Sequence, residues 1–491
     1  MTESFTHYLQ RLWSFETLDF QPVRDLSLTL DYLLLQHYQL HFFIIHNLVI
    51  WFLTILVLRN IIVLEFPKLD EYEVNLLATC FAVYPLHVSS IAWGMSQKHL
   101  LSFLFITLST YLWIKPSETV TKKNSAIIVF FYILSILSQP ITILWPVWTL
   151  HYNRYIKKRV GAYGAIITSL IAMVLVGYAN YVYYTQSNFF LSHYNSKTNQ
   201  IFDIPDKILA FGYYIHELLF PYSYSFQATL GDSSTFYGLL LLMLLFILVR
   251  ILKIETRTLT NWSLFFILPL MVILTKAAVV YNTYLLTPSL AFLMITLKAR
   301  SQFTNIPSKF IKSFYYGLIL FFIGYTNYEA RAWLVNTDVL RRSFERSPSC
   351  WTAANLLLFS YQKQELTNLV AAKQLVMESE CGKFEFHGIK LARLKVYMLL
   401  YENDLSLNDR LSILTEASKT NPFAKGALIG LLIREKLNDR ADKEIDAFLK
   451  EGRIYDEELI FLILPIIKPY CISSLNQECV KFLDHAFPRP K

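Results

Sequence analysis

Residues 41–58 read His41-Phe42-Phe43-Ile44-Ile45-His46-Asn47-Leu48-Val49-Ile50-Trp51-Phe52-Leu53-Thr54-Ile55-Leu56-Val57-Leu58, a run without Asp, Glu, Lys or Arg. A helix crosses a bilayer with ~20 apolar residues, and with fewer inside a bundle. The run therefore predicts a membrane-crossing helix. Comparable runs recur up to residue 330, at 74–90, 99–115, 125–137, 141–150, 160–184, 235–252, 263–280, 284–298 and 313–328. Together they predict about ten crossings. The two short ones, 125–137 and 141–150, form a hairpin around Gln139-Pro140, where proline interrupts the backbone ladder. Residues 207–221 read as an amphipathic, interfacial helix.

Composition points the same way. Of 491 residues, 54% are hydrophobic, 16% aromatic and only 17% charged, with a mean hydropathy of +0.37. A soluble domain carries ~25% charged residues, so a purely soluble protein is excluded. Disorder and a small disulfide scaffold are excluded by the same figures. The net charge of +8 does not read as nucleic-acid binding, because the basic residues sit in short loops and no phosphate loop, zinc spacing or basic stripe accompanies them.

After residue 330 the pattern becomes that of water-soluble helices. Pairs are expected at 350–363 with 365–379, 384–402 with 407–420, 423–436 with 438–450, and 454–468 with 474–487. Their starts recur near the tetratricopeptide period of ~34 residues, Trp351 opens the first pair, and Pro348 and Pro422 punctuate repeats. The expected fold is thus all-α: a polytopic transmembrane helical bundle followed by a soluble TPR-like α-solenoid. The expected divisions are 1–40, an external N-terminal tail with an amphipathic interfacial helix; 41–330, the membrane domain; and 331–491, the external repeat domain. Such an array offers a concave surface for a protein partner; a plain helical cap on the membrane domain is the alternative.

Charge placement predicts orientation. One set of loops carries Arg59, Lys68, Lys115, Lys122, Lys123, Arg154, Lys157, Lys158, Arg159, Arg250, Lys253, Arg257, Lys298, Arg300, Lys309 and Lys312. The other side holds Lys98, Lys197, Lys207, Arg11 and Arg24. The richer set is cytoplasmic by the positive-inside rule, which puts residues 331–491 outside, in the periplasm of a bacterial-type inner membrane. Residues 1–37 lack the continuous apolar core of a signal peptide. Cys80 falls in a crossing, whereas Cys350, Cys381, Cys471 and Cys479 fall in the external part. In an oxidising compartment, Cys471–Cys479 and Cys350–Cys381 are the candidate pairs among three possible connectivities.

A family resemblance adds to this reading. Residues 84–102, Tyr-Pro-Leu-His-Val-Ser-Ser-Ile-Ala-Trp-Gly-Met-Ser-Gln-Lys-His-Leu-Leu-Ser, resemble the His-Pro-Leu-His-Val-Glu-Ser-Val-Ala-Trp-x-x-Glu-Arg-Lys-Asp-Val-Leu-Ser segment of transmembrane-and-tetratricopeptide proteins. These belong to the GT-C class of integral-membrane glycosyltransferases and are related to protein O-mannosyltransferases. Gln21 to Ser27 with Leu30-Asp31-Tyr32, His41 to Leu48, Leu137-Ser138-Gln139-Pro140, Tyr213 to Tyr222, and Thr283-Tyr284-Leu285 resemble further family segments in the same order. The resemblance implies a groove for a polyprenyl-phosphate-linked sugar and transfer to a protein or glycan.

The departures bear on activity. The family's first helix and its Asp-rich external loop have no counterpart in this sequence; either the chain continues upstream into them, which would revive the enzyme reading, or another membrane subunit supplies that helix. The family's charged positions become Ser89, Ser96, Gln97, His99, Gln139, Val280 and Tyr281, and only Lys98 is kept. Transfer to a hydroxyl needs a base, and a phosphate leaving group needs cations or a carboxylate-held metal. Loss of these charges with retention of the scaffold implies a pseudo-glycosyltransferase serving as an assembly or adaptor subunit; an active glycosyltransferase is the alternative, and a transporter a weaker one. Asp25 and Asp31 are the nearest surviving carboxylates, either a replacement base or residues that cap or solvate an interfacial helix. His87 and His99 are either catalytic or packed by hydrogen bonds. Lys276, Lys98 and His99 are candidates for a lipid phosphate, although Lys276 can instead snorkel to the interface. His216-Glu217 is either paired or solvated. No metal cluster is expected.

Overall fold

The computed structural model describes residues 21–35, 41–93, 96–116, 120–186, 204–221, 227–228, 240, 243, 256–276, 280–300, 308–333, 336–346, 352–353, 355–357, 360, 369, 371–372, 406–418, 422–450 and 470. Proline opens the first helix, α1 (Pro22–Leu35), where its missing N–H costs nothing. Helix α2 (His41–Glu65) is apolar on every side and stops before Phe66-Pro67. Asp70 caps α3 (Glu71–Ala82), its carboxylate accepting from the Glu73 amide at 2.6 Å. Pro85 then starts a 3-10 turn (Pro85–His87) that leads into the short α4 (Val88–Ala92). The axis bends by 47° between α3 and this second piece.

Helix α5 (Gln97–Ile114) follows, then α6 (Lys122–Ser138), capped by the Thr121 hydroxyl on the Asn124 amide. Gln139-Pro140 ends α6, and a 3-10 turn (Pro140–Thr142) feeds α7 (Trp145–Tyr155). Gly161 adopts φ +80° before α8 (Ala162–Gln186). The remaining elements are α9 (Ile204–Leu219), β1 (Gln227–Ala228), α10 (Thr256–Lys276) with Pro269 inside it, β2 (Val280–Tyr281), a 3-10 turn (Asn282–Leu285), α11 (Leu286–Arg300), α12 (Ser308–Ala332) and α13 (Asn336–Arg346). The two short strands pair antiparallel, Gln227 opposite Tyr281 and Ala228 opposite Val280. Otherwise the described elements are helical, in agreement with an all-α chain.

Helix α5 lies between α2 and α6. Small hydroxyls hold α5 to α6: Ser135 Oγ donates to the Ser102 carbonyl at 2.8 Å and Ser109 Oγ to the Ile128 carbonyl at 3.0 Å. Such bonds act as glue between helices where apolar burial no longer discriminates, at ~0.6–2 kcal/mol each. The inner aromatic core joins Trp113, Tyr132, Trp145, Trp148, Trp262 and Phe265. Trp148 meets the rings of Trp145, Trp262 and Phe265 at 6.1, 5.9 and 5.1 Å. Each such pair adds ~0.5–1.5 kcal/mol beyond area burial.

The crossing count differs from the expectation. Among the described residues, two helices are long and apolar enough to cross a membrane, Ile44–Glu65 and Ala162–Val182, and three if the bent pair Glu71–Ala82 with Pro85–Ala92 is one span. The other expected crossings fall short for local reasons. Helix α6 has 17 residues and α7 has 11, because Pro140 divides them. Helix α10 runs continuously from Thr256 to Lys276 with Pro269 inside it, its described apolar stretch being Leu259–Val272, and α11 has 15 residues. Helix α12 is long enough, but Tyr315, Tyr316, Tyr325, Asn327 and Glu329 dilute its apolar content. The expected span 235–252 lies largely outside the described residues.

The chain forms two compact units, with the division at Pro348/Ser349; α13 therefore belongs with the first unit. In the second unit, α14 (Leu407–Ser418), α15 (Pro422–Arg434) and α16 (Asn438–Lys450) pack in succession. Ser406 caps α14 by accepting from the Asp409 amide while its hydroxyl donates to the Asp409 carboxylate at 2.6 Å. Lys436, at φ +58°, turns the chain from α15 into α16. Leu414, Leu428, Leu431, Leu432, Ala441 and Ile445 form their shared core. Cys350, Cys381, Cys471, Cys479 and Trp351 lie outside the described residues.

Candidate functional site

The polar residues of α1 face inward. Asp25 and Asp31 are both buried, so neither solvates an interfacial helix. Arg24 Nε donates to Asp25 Oδ1 at 2.6 Å, and the Arg24 guanidinium also donates to Gln21 Oε1 at 2.9 Å. Gln21 Nε2 in turn donates to Gln139 Oε1 at 2.6 Å. Gln139, at the hairpin between α6 and α7, is thus bonded to α1. Ser102 Oγ donates to the Gln139 carbonyl at 3.2 Å, which ties the hairpin to α5 as well.

Asp31 is held on both oxygens. Its Oδ1 lies 2.6 Å from Nδ1 of His46 on α2, and its Oδ2 accepts from Nε2 of Gln97 on α5 at 2.8 Å. Gln97 Nε2 is also 2.8 Å from His46 Nδ1, so two donors converge on one carboxylate. A carboxylate only accepts, so a proton lies on Nδ1 in this contact. The His46 side chain is 31% exposed, whereas that of Asp31 is 6% exposed. A carboxylate that orients a part-exposed imidazole is an arrangement able to take a proton from a hydroxyl.

The other candidate residues fall nearby or apart. Lys98 and His99 open α5 beside Gln97; His99 is buried with its ring edge-on to Tyr284 at 5.2 Å. His87 is sealed in the core. Its Nδ1 donates to the Phe81 carbonyl at 3.0 Å, its Nε2 meets Ser289 Oγ at 3.1 Å, and Trp51 and Phe81 pack against its ring at 4.7 and 4.6 Å. That is the packed, hydrogen-bonded alternative. Lys276 ends α10, and its side chain lies outside the described residues. His216 and Glu217 on α9 are buried and 3.3 Å apart, so they are paired and not solvated. The Tyr84 hydroxyl donates to the Leu218 carbonyl, joining the residue before Pro85 to α9.

Ser89 and Ser96 are fully buried, and their hydroxyls have no hydrogen-bond partner among the described residues. Those residues also contain no group of three or more His, Cys, Asp or Glu placed to hold a metal ion. A cavity of about 10 Å³ lies between Ile106, Ile141, Trp145, Trp148, Phe265 and Leu268; it has room for a water at most.

His46 is the residue that sequence reasoning passed over. It was visible as a titratable side chain inside an apolar crossing, which is a functional-site signal by default. Nothing local, however, pairs it with Asp31. Comparison with protein-family models, with curated proteins and with solved structures returns no match.

Proposed function

We propose that the chain is a GT-C-like pseudo-glycosyltransferase of a bacterial inner membrane that serves as an assembly or adaptor subunit. The observation that carries this reading is the internal commitment of both α1 carboxylates, Asp25 to Arg24 and Asp31 to His46 and Gln97. A base must meet its substrate proton, and the Asp31 carboxylate has both oxygens engaged by His46 and Gln97 while Asp25 Oδ1 is held by Arg24. Neutral Ser89 and Ser96 at the family's acidic positions support the same conclusion. About ten crossings are reached in this reading by counting the short apolar helices, including Leu259–Val272 and Thr283–Lys298, as bundle members. Outward apolar side chains support a lipid environment: Phe52 on α2 is 61% exposed and Leu320 on α12 is 70% exposed, and exposed apolar surface of that extent marks an interaction face.

The TPR-like helices after residue 348 would bind an external protein in the periplasm, and the membrane groove would retain a lipid-linked glycan. The stack of α14, α15 and α16 supports the repeat reading. The test is cross-linking and co-purification of the full chain from membranes: a stoichiometric partner that is lost when the repeats are deleted supports the adaptor role, and recovery of the chain alone opposes it.

A second reading, an active glycosyltransferase using a polyprenyl-phosphate carrier, is favoured by one observation. His46 is part-exposed and oriented by Asp31, so its Nε2, and not an aspartate, would be the proton acceptor.

A further inference from the structure

Two loops at the same end of the first unit are fastened together. The chain after α5 and the chain between α7 and α8 meet where the Val120 amide donates to the Val160 carbonyl at 2.9 Å. The Arg159 side chain completes the join, donating to the carbonyls of Ile114 and Lys115 at 2.8 and 2.6 Å. Arg159 is 3% exposed, and its own amide donates to Asn153 Oδ1 at 2.9 Å. The join gathers Lys115, Lys122 and Lys158, all exposed, with the half-buried Lys157; Glu118, in the first loop, lies outside the described residues.

Three features set this shelf apart from an ordinary solvated charge run. First, Ala162 begins the membrane-length apolar helix directly after it, so the lysines stand at a membrane end. Second, apolar side chains are exposed among the charges, Val160 at 73% and Tyr163 at 53%. Third, two buried donors at the join, Arg159 Nε and Asn153 Nδ2, have no hydrogen-bond partner among the described residues. Both are donors only, so what would satisfy them is an acceptor. Burial also draws the guanidinium down from its usual range, which a neighbouring anion would offset.

We propose that this cationic shelf is a seat for the phosphate headgroups of anionic phospholipids. The proposal rests on the reading of the chain as a membrane protein. Lysines near an anionic surface act additively and within a Debye length, while Tyr163 and Val160 enter the headgroup boundary.

The test uses the detergent-purified full chain exchanged into mixtures of phosphatidylglycerol and phosphatidylcholine, with retained lipids counted by native mass spectrometry. Wild type is expected to favour phosphatidylglycerol by roughly tenfold or more, as the summed pull of several lysines implies. The preference should shrink in about 0.5 M salt, where screening is short-ranged. A Lys115→Gln, Lys157→Gln, Lys158→Gln variant should lose it, and the matching Lys→Arg variant should restore it. Equal retention of the two lipids, an undiminished preference in the Gln variant, or displacement of the lipid by inorganic phosphate would overturn the proposal. Flotation with phosphatidylcholine vesicles separates the two levels. A chain that inserts there but shows no headgroup preference sinks only the lipid seat, whereas one that fails to insert sinks the membrane reading itself.

Discussion

Asp31 on α1 holds Nδ1 of His46 on α2 at 2.6 Å, and the same carboxylate receives Gln97 of α5 at 2.8 Å. Three helices therefore meet on one acid. Removing it in Asp31→Ala leaves the buried Gln97 amide and the part-exposed His46 Nδ1 without their acceptor, at about 1–3 kcal/mol for the buried group. The expected result is a fall of several degrees in the apparent melting temperature of the detergent-solubilised chain. Asp31→Asn keeps an acceptor oxygen and should fall less.

Gly161 sits at φ +80°, and a Cβ placed there would lie 2.8 Å from the Val120 carbonyl oxygen. That oxygen is backbone, fixed by the join between the two loops, so it cannot swing away. Gly161→Ala should cost about 1–3 kcal/mol from the backbone conformation alone. Faster proteolysis between α7 and α8 is the readout, and an unchanged cleavage rate would count against the geometry of the join.

Trp148 is fully buried, and its indole donates to the Asn261 carbonyl at 3.2 Å. Trp148→Ala should cost about 3–5 kcal/mol and sharply lower the amount of folded chain recovered by size exclusion. Trp148→Phe keeps part of the ring stack and loses the hydrogen bond, so it should fall between the two.

The outward face of α8 carries Val174 and Leu175, each 63% exposed. If that face meets lipid, Val174→Lys should disfavour insertion by on the order of 2.5–3.5 kcal/mol. Glycosylation-reporter or alkali-extraction assays should then show a loss of the membrane-inserted fraction. Equal insertion of the variant would place this face against protein or water.

Much of the local structure was legible in the sequence. The apolar run at 41–58 became α2, the run at 160–184 became α8, and Gln139-Pro140 marked a real break, because length, hydropathy and proline act through neighbouring residues. The number of crossings was not legible, since apolar content alone does not tell a spanning helix from a short helix buried in a bundle. Burial of Asp25 and Asp31 was hidden for a related reason. An acid near the start of an amphipathic helix looks like a solvated cap until the helix is laid over α2, α5 and α6. Gln139 and Gln97 were noticed as losses of charge, while their roles as partners for Gln21 and Asp31 depend on contacts across more than sixty residues of chain.

The most direct test of the account measures sugar transfer by the full chain, with polyprenyl-phosphate-linked donors, for wild type, Asp31→Asn and His46→Ala. With Asp31 bound internally and neutral Ser89 and Ser96 beside the proposed groove, all three are predicted to give the same background rate. Turnover in wild type that falls at least tenfold in His46→Ala, with the variant still folded, would contradict the non-catalytic reading and make His46 the base.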